Sequence, residues 1–366
     1  MKIDGCEIRN LIKGLPTRSH DRGVNERYAE LHRSRQGVRS SGKKLSSIFS
    51  SFIYHFSSFI YHLSSIISPS LRLCLSAVIF AVAVSAQAVA PGGPGKDAQW
   101  ATAAKQGVGT SATTESKVWF TLAQGVLTEV YYPDVTVANV HLLQFIVVNP
   151  KTKKVETEQD DAIHQIRVTR PDSLTFQQIN TAKSGEWKIT KTYVTDPETD
   201  SVLIDVKFEP KNKSLRLYVY YDPSLGNSGM GDIGSILSVS DIRESGFDAS
   251  DESTKIESTL LFSVPISEQQ VEFADSDAAQ HILRTSEPGK KEWAGPGNVV
   301  LSARIEQPAS FTVVLTFDPQ PGGVPGEALN SIQKGFSKIR AEYEKGWADY
   351  VKTLPRVDAK YQAQFN

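Results

Sequence analysis

Residues 107–148 place the tightest limit on what this chain can fold into. Their apolar side chains come in short runs of β-branched and aromatic residues, at 118–120, 126–132 and 142–148, separated by turn-forming residues at Gln124-Gly125 and Pro133-Asp134. Runs of this composition between turn formers are typical of β-strands. Because the connections are too short for crossovers, we predict antiparallel hairpins.

The same pattern continues to residue 317 and predicts an all-β domain. Further predicted strands lie at 163–170, 187–194, 201–208, 215–221, 259–264, 299–305 and 310–317. In the strand at 201–208, every second residue from Val202 to Phe208 is apolar and faces one side. A turn-like Lys211-Asn212-Lys213 follows, so we predict that 201–208 and 215–221 form a hairpin.

Five motifs carry a family resemblance: GVGT at 107–110, SKVWFTL at 116–122, GVLTEVYYP at 125–133, ANV at 138–140 and LQF at 143–145. In their order and their amino-acid sequences, these motifs resemble the N-terminal domain (domain N) of bacterial glucodextranases and glucoamylases of glycoside hydrolase family 15. The resemblance covers most of residues 95–355. The resemblance implies a large two-sheet antiparallel supersandwich, galactose mutarotase-like, ahead of an (α/α)6 catalytic barrel. It also implies an inverting, exo-acting α-glucosidase as the parent enzyme. Both of its catalytic glutamates would lie in the barrel, and no residue of this chain matches them.

Residues 1–88 differ in composition from the rest. Residues 1–70 are Arg-rich and then Ser-rich, with SSFIYH at 50–55 and again at 57–62. They predict an unstructured leader or an overextended reading frame, with a membrane-surface helix as the alternative. Residues 71–88 combine Arg72, an apolar core and the small residues Ala86 and Ala88, which predicts a cleaved signal peptide and an exported protein, periplasmic or extracellular. A buried strand or helix is the alternative reading. The apolar run is shorter than the ~20 residues of a bilayer span, so we expect no stable membrane span.

The sandwich is expected at 92–320, followed by a linker and helix at 321–366. Apolar residues then recur every three or four positions, which predicts one long amphipathic helix that ends at Pro355. Its stripe consists of Ile332, Phe336, Ile339, Tyr343, Trp347 and Tyr350. The resemblance implies that this helix leads into a barrel on the same chain, absent from these residues. With the stripe exposed, residues 89–366 should aggregate or dimerise, and removal of 331–366 should give a monomer.

Charge and cysteine content exclude several classes of function. Forty basic and 41 acidic residues give a net charge of -1, so we expect no nucleic-acid partner. Cys6 and Cys74 both precede the sandwich, which leaves it without disulfides, thiol nucleophiles or thiolate metal sites. No metal-binding motif occurs, and we predict no cofactor and no metal site.

Three residues are candidates for contact with carbohydrate or with a neighbouring domain. Asn227 and Asp232 belong to a glycine-rich loop at 222–234, where they face a glucan or the neighbouring domain, or serve an ordered turn with positive φ. Trp293 lies in a loop rich in glycine and proline, where its ring could stack on glucose or pack at a domain interface. Trp119 and Trp187 are expected in the core, and Trp100 is expected to pin the N-terminal segment to the sandwich.

Acid pairs and histidines are the remaining candidates for chemistry. Asp160-Asp161 and Asp251-Glu252 are adjacent, so on a strand they point apart, and we expect solvated charges. The histidines of the sandwich, His141, His164 and His281, show no motif spacing, although mutarotation would need a histidine and a carboxylate. The sequence therefore predicts a non-catalytic N-terminal domain that supports a barrel in α-glucan degradation. A carbohydrate-binding module or an aldose mutarotase-like enzyme is the alternative.

Overall fold

Strands dominate the regular structure. The computed structural model describes residues 90–238, 245–274, 282, 291–318, 326–355, 357–358 and 360. The predicted leader at 1–70 and signal peptide at 71–88 lie outside the described residues. The strands are β1 (Gly107–Thr110), β2 (Trp119–Ala123), β3 (Val126–Tyr131), β4 (Val140–Val148), β5 (Val155–Thr157), β6 (Ala162–Val168), β7 (Phe176–Ala182), β8 (Trp187–Thr195), β9 (Ser201–Pro210), β10 (Arg216–Pro223), β11 (Asp232–Ser238), β12 (Ser245–Asp251), β13 (Ile256–Phe262), β14 (Ile266–Phe273), β15 (Trp293–Gly297), β16 (Val299–Ile305) and β17 (Ser310–Asp318). The helices are α1 (Glu158–Asp161), α2 (Gly326–Lys334) and α3 (Phe336–Thr353).

The described strands form two antiparallel sheets. Sheet I has eight strands in the order β1-β2-β3-β4-β10-β16-β14, with β5 paired to β4. Sheet II has nine strands in the order β15-β11-β12-β13-β17-β9-β8-β7-β6. The predicted all-β, two-sheet antiparallel sandwich is therefore confirmed.

The core consists of the inward-facing residues of both sheets, and aromatic rings meet across it. Phe120 on β2 stacks on Tyr193 of β8 with 5.8 Å between ring centroids. Phe145 on β4 meets Phe311 of β17 edge to face at 5.6 Å. All four side chains are buried. Because each large apolar side chain contributes about 1.5–3 kcal/mol when fully buried, packing is the main force between the sheets.

The predicted hairpin between 201–208 and 215–221 is wrong. Strand β9 pairs with β8 and β17 in sheet II, whereas β10 pairs with β4 and β16 in sheet I. The connection between β9 and β10 thus crosses from one sheet to the other. Ile204 and Val206 on β9 point into the same core as Leu217 and Val219 on β10. A crossing of this kind needs the same alternation of apolar residues as a hairpin.

Two helices replace the predicted single helix at the C-terminal end. Gly335, with a φ of 83°, separates α2 from α3. A positive φ is a conformation that glycine adopts without steric penalty. Helix α3 ends at Thr353, close to the predicted stop at Pro355.

Sheet II covers most of the apolar stripe on these helices, which corrects the expectation of an exposed stripe. Phe336, Ile339 and Tyr343 are buried in one cluster with outward-facing residues of sheet II, and Ile332 and Trp347 are partly buried against it. The sheet residues of this cluster are Val194, Leu203, Leu261 and Val314. Tyr350 remains 48% exposed. The outer face of sheet II is apolar at this point, so the sandwich itself provides the docking surface.

Candidate functional site

A groove of ≈ 630 Å³ lies on the outer face of sheet I. Its floor is formed by β4 and β10, and it is lined by Lys96, Asp97, Gln99, His141, Leu142, Gln144, Thr157, Gln159, Asp160, Asp161, Tyr220, Asp222, Ala274 and Asn298. We call this the sheet I groove. Leu142 and Tyr220 on its floor belong to a small apolar cluster outside the main core, whereas their neighbours Leu143 and Tyr221 point into the core. The groove is thus separated from the core by one sheet.

A β-bulge positions the histidine of this groove. In the pairing of β4 with β10, Asp222 is opposite Leu142 and Pro223 is opposite Val140, so His141 is the extra residue. Bulges re-aim side chains in this way, often beside functional sites. The His141 Nδ1 atom lies 2.8 Å from Asp222 Oδ2. Burial alone would lower the pKa of His141, but the hydrogen bond and the charge of Asp222 raise it above its usual value.

A second charged group lies beside this pair. Glu129 Oε2 is 2.6 Å from the Lys105 ammonium and accepts a 2.9 Å hydrogen bond from the Tyr131 hydroxyl. Burial, together with the hydrogen bond and charge of Glu129, raises the pKa of Tyr131 to about 12. The Glu129 charge also helps to raise the pKa of His141. The outer face of sheet I therefore carries a connected set of polar side chains at the end of β4.

The N-terminal segment forms one rim of the groove. The Lys96 backbone N–H donates to the Ala274 carbonyl at 2.6 Å, and the Asn298 N–H donates to the Pro94 carbonyl at 2.8 Å. The Asn298 side-chain amide also donates to the Lys96 carbonyl at 3.2 Å. These bonds to sheet I anchor the segment. The expected anchor, Trp100, is instead 64% exposed.

Helix α1 forms the opposite rim. The Thr157 hydroxyl caps this helix by accepting a hydrogen bond from the Asp160 N–H at 3.0 Å, and Asp161 Oδ2 accepts from the Thr157 N–H at 2.8 Å. This reciprocal arrangement satisfies backbone donors at the start of the helix. Asp160 and Asp161 thus serve the helix turn and line the groove.

A fully buried ion pair holds α1 to sheet II. Glu158 Oε2 is 2.7 Å from the Lys191 ammonium of β8 and accepts a 2.7 Å hydrogen bond from the Phe145 N–H. The same ammonium donates to the Gly125 carbonyl at 2.8 Å, and Asn180 donates to Glu158 Oε1 at 2.5 Å. Burial lowers the pKa of Lys191 against the opposing charge of Glu158. The pair therefore joins the groove rim to the opposite layer of the sandwich.

The three predicted contact residues differ in their surroundings. Asn227 adopts a φ of 63°, accepts from the Ala138 N–H at 2.8 Å and donates to the Thr136 carbonyl at 2.9 Å. It also borders a second, mostly apolar groove of ≈ 420 Å³. Trp293 lies half-buried at the start of strand β15, in a segment predicted as loop.

Asp232, the remaining predicted contact residue, is enclosed. It lies at the start of β11, is fully buried and accepts from the Leu225 N–H at 3.3 Å. Burial, with the charges of Asp251 and Asp222, raises its pKa to about 8. Asp251, its register partner on β12, is also buried, which corrects the expectation of a solvated charge.

The remaining tryptophans and histidines singled out in the sequence lie in different environments. Trp187 is buried as expected, and its indole N–H donates to Glu156 at 3.0 Å. Trp119 is 37% exposed, because the adjacent Phe120 takes the inward position on β2. His164 contacts Asn180 and the Gln159 carbonyl, and His281 lies outside the described residues.

Sequence reasoning missed the pairing of His141 with Asp222. These residues are 81 positions apart and meet only because β4 and β10 are neighbours in sheet I. The sequence does contain one local signal. Val140, Leu142 and Leu143 interrupt the strict alternation of a strand around His141, as expected for a bulge.

Within the part of the chain that the structure describes, histidine, cysteine and acidic side chains form no group of three or more that could hold a metal ion. The same residues contain no helix that is long and apolar enough to cross a bilayer.

The sandwich and its two C-terminal helices coincide with a known protein family. The family model for glucodextranase, domain N, matches residues 90–352. This chain belongs to the glucodextranase domain N family. The match runs from the first described residue to the end of α3, so the family's domain N includes the helices on sheet II.

Two glucoamylases show how much of a longer protein this domain N chain covers. A glucoamylase from Clostridium sp. (strain G0005) is 28% identical over 276 residues, which are 73% of this chain and 38% of that protein. A crystal structure of a bacterial glucoamylase complexed with acarbose superposes with a TM-score of 0.69 at 28% identity and covers 76% of this chain and 41% of that chain. The domain N chain therefore spans about two fifths of each relative.

Proposed function

We propose that this chain is the non-catalytic N-terminal sandwich of an exported α-glucan-degrading enzyme of glycoside hydrolase family 15, where it packs against and supports an (α/α)6 barrel. The observation that carries this proposal is the domain N match across residues 90–352. The two relatives bear the name glucoamylase, and each is more than twice as long as the part that this chain covers. The remaining part of such a protein has room for a catalytic domain.

The barrel would contact the outer end of α3. Ile332, Phe336, Ile339 and Tyr343 pack on sheet II. Beyond them, the Trp347 ring meets the Tyr350 ring edge to face at 5.7 Å between centroids, and Tyr350 is half exposed. Trp347 is fixed by a 2.8 Å hydrogen bond from its indole N–H to the Thr110 carbonyl. These two rings offer a rigid apolar surface at the point where the chain leaves the sandwich.

Contact with the barrel or with glucan at the three predicted positions is also part of this proposal. Trp293 is half-buried and Asn227 borders a groove, so both can reach a neighbour. The Asp232 carboxyl is enclosed and would act only through the fold around it.

The mutarotase alternative depends on the pair of His141 and Asp222. Mutarotation needs an acid and a base that reach different atoms of the sugar. His141 and Asp222 instead contact each other at 2.8 Å and act as one unit. The supporting role in an α-glucan-degrading enzyme therefore fits this geometry better.

Glucose release tests the non-catalytic role. The purified chain should release no glucose from maltooligosaccharides, while a glucoamylase of full length, assayed in parallel, should release it. Release of glucose by the purified chain, in a preparation shown to be free of contaminating glucosidases, would contradict the proposal.

Export is tested separately by N-terminal sequencing. We expect material recovered outside the cytoplasm to begin near Val89, after the small residues at 86 and 88. Exported material that still carries Met1 would show that no signal peptide is removed.

A further inference from the structure

Polar groups in the sheet I groove lack partners within the described part of the chain. His141 uses Nδ1 for Asp222, and its Nε2 atom has no partner there. Gln144, 2% exposed, accepts a 3.4 Å hydrogen bond from the Gln159 N–H, but its amide nitrogen has no acceptor among the described residues. The Asn298 side-chain oxygen is buried and has no donor in the same residues. Since buried polar groups in proteins are almost always hydrogen-bonded, the buried Asn298 oxygen points to an occupant. The two side-chain nitrogens of His141 and Gln144 reach solvent and are available to the same occupant.

The charges of the groove limit the class of that occupant. Among the described lining residues, Lys96 and His141 are basic, against the acidic residues Asp97, Asp160, Asp161 and Asp222. This excess of carboxylates disfavours an anion such as phosphate. The described lining also lacks a group of three side chains suited to a metal ion. A neutral ligand with many hydroxyls fits best, because each hydroxyl both donates to carboxylates and accepts from amides.

The size and rim of the groove fit a ligand of this kind. A volume of ≈ 630 Å³ falls within the roughly 300–1,000 Å³ of small-molecule sites. Asp97 and Gln99 of the N-terminal segment line the groove at its rim, and both side chains are exposed, so a ligand can reach them.

We infer that the sheet I groove is a saccharide-binding site, with His141 and Gln144 on its floor and Asp97, Gln99 and Asn298 at its rim. The glucose units of an α-glucan are the sugar we assign to it, and this choice alone rests on the proposed function. The groove holds glucan without cleaving it. It is distinct from the predicted contacts at Asn227, Asp232 and Trp293.

Titration calorimetry on the full chain tests the inference, with maltotriose, isomaltotriose and the pentose trimer xylotriose as probes. We expect at least one of the two glucans to bind. Gln144→Leu should weaken that binding at least about tenfold, since it removes hydrogen bonds in a buried position. Asp97→Ala and Gln99→Ala should weaken it severalfold, since both side chains line the groove. Gln177→Ala, on β7 of sheet II, is the matched control and should bind like the wild type.

The rim variants keep the test decisive if Gln144→Leu fails to fold, because Asp97 and Gln99 are exposed. Absence of binding by all three saccharides to the folded chain would overturn the inference, as would wild-type affinity in both rim variants. Binding of xylotriose alone would uphold the saccharide site and contradict its assignment to glucan. Glucose release is a separate assay, so failure of the proposed function would be visible independently.

Discussion

At the start of β11, the Asp232 carboxyl lies beside the Leu225 backbone and other carboxyls, away from solvent. Its pKa of about 8 means that the folded chain keeps it protonated at neutral pH, whereas the unfolded chain ionises it near 3.8. Between these values the folded state binds a proton that the unfolded state lacks. Stability from this group is therefore complete at the acidic end of the window and falls as the pH rises towards 8.

Asp232→Asn should remove this pH dependence, because an amide stays neutral. We expect the free energy of unfolding of the wild type, relative to the variant, to fall by at most about 1.4 kcal/mol per pH unit between pH 5 and 8. Urea unfolding of both proteins at pH 5, 6.5 and 8 measures the difference. A constant difference across this range would mean that Asp232 is already ionised in the folded chain.

The groove shows which residues a single sequence can and cannot identify. Gln124-Gly125 and Pro133 mark turns through their own backbone preferences, so local sequence finds them. His141 and Asp222 acquire their roles from a bulge and from the pairing of β4 with β10. The prediction that Trp119 lies in the core is wrong for a related reason. Adjacent residues on a strand point to opposite faces, so only one of Trp119 and Phe120 can point into the core.

Among the elements, helix α1 owes its stability to contacts with sheet II, because its own length is too short to maintain it. Four residues form too short a helix to be stable alone. The buried pair of Glu158 and Lys191 supplies the missing restraint and places Asp160 and Asp161 on the groove rim.

Lys191→Met should destabilise the fold by about 3–5 kcal/mol, because it leaves the Glu158 carboxylate buried without its cation. Adding Glu158→Gln should recover part of that loss, since a glutamine amide still accepts from Phe145 and needs no counter-charge. Denaturant unfolding of the wild type, both single variants and the double variant gives the coupling free energy between Lys191 and Glu158. Additive losses would show that the two charges act independently.

Helix α3 is divided into a docked part and an exposed end, and two substitutions distinguish them. Ile339→Ala should cost about 2–5 kcal/mol, because its side chain is fully buried against sheet II. Tyr350→Ala should change stability by less than about 0.5 kcal/mol in this chain. Thermal unfolding compares them. Equal losses would mean that the exposed end also contributes to the fold.

The order of strands within the sheets is the part of the fold that the sequence predicts least well. The alternation of apolar and polar residues correctly locates β9 and β10. It does not distinguish a hairpin from a connection that crosses between the two sheets. Strands β7 and β11 to β12 carry polar residues at many positions and give a weak apolar pattern. The two-sheet class itself is predictable because it needs only many short strands with one apolar face each.

For the molecule as a whole, the helices on sheet II reverse the expected behaviour of a shortened chain. The polypeptide from Val89 to Asn366 should be a monomer, since sheet II covers the apolar stripe. Removal of 331–366 should instead cause aggregation, because it uncovers outward-facing residues such as Leu203 and Val314. Light scattering after size-exclusion chromatography measures both. If the shortened chain is a monomer, the helices are not needed to keep the outer face of sheet II from aggregating.

The bond between the Trp347 indole and the Thr110 carbonyl links residues 237 positions apart, the last helix and the first strand. Because β1 belongs to sheet I while the rest of α3 packs on sheet II, both layers of the sandwich hold this helix. The orientation of its C-terminal end relative to the sandwich is therefore a property of the domain itself.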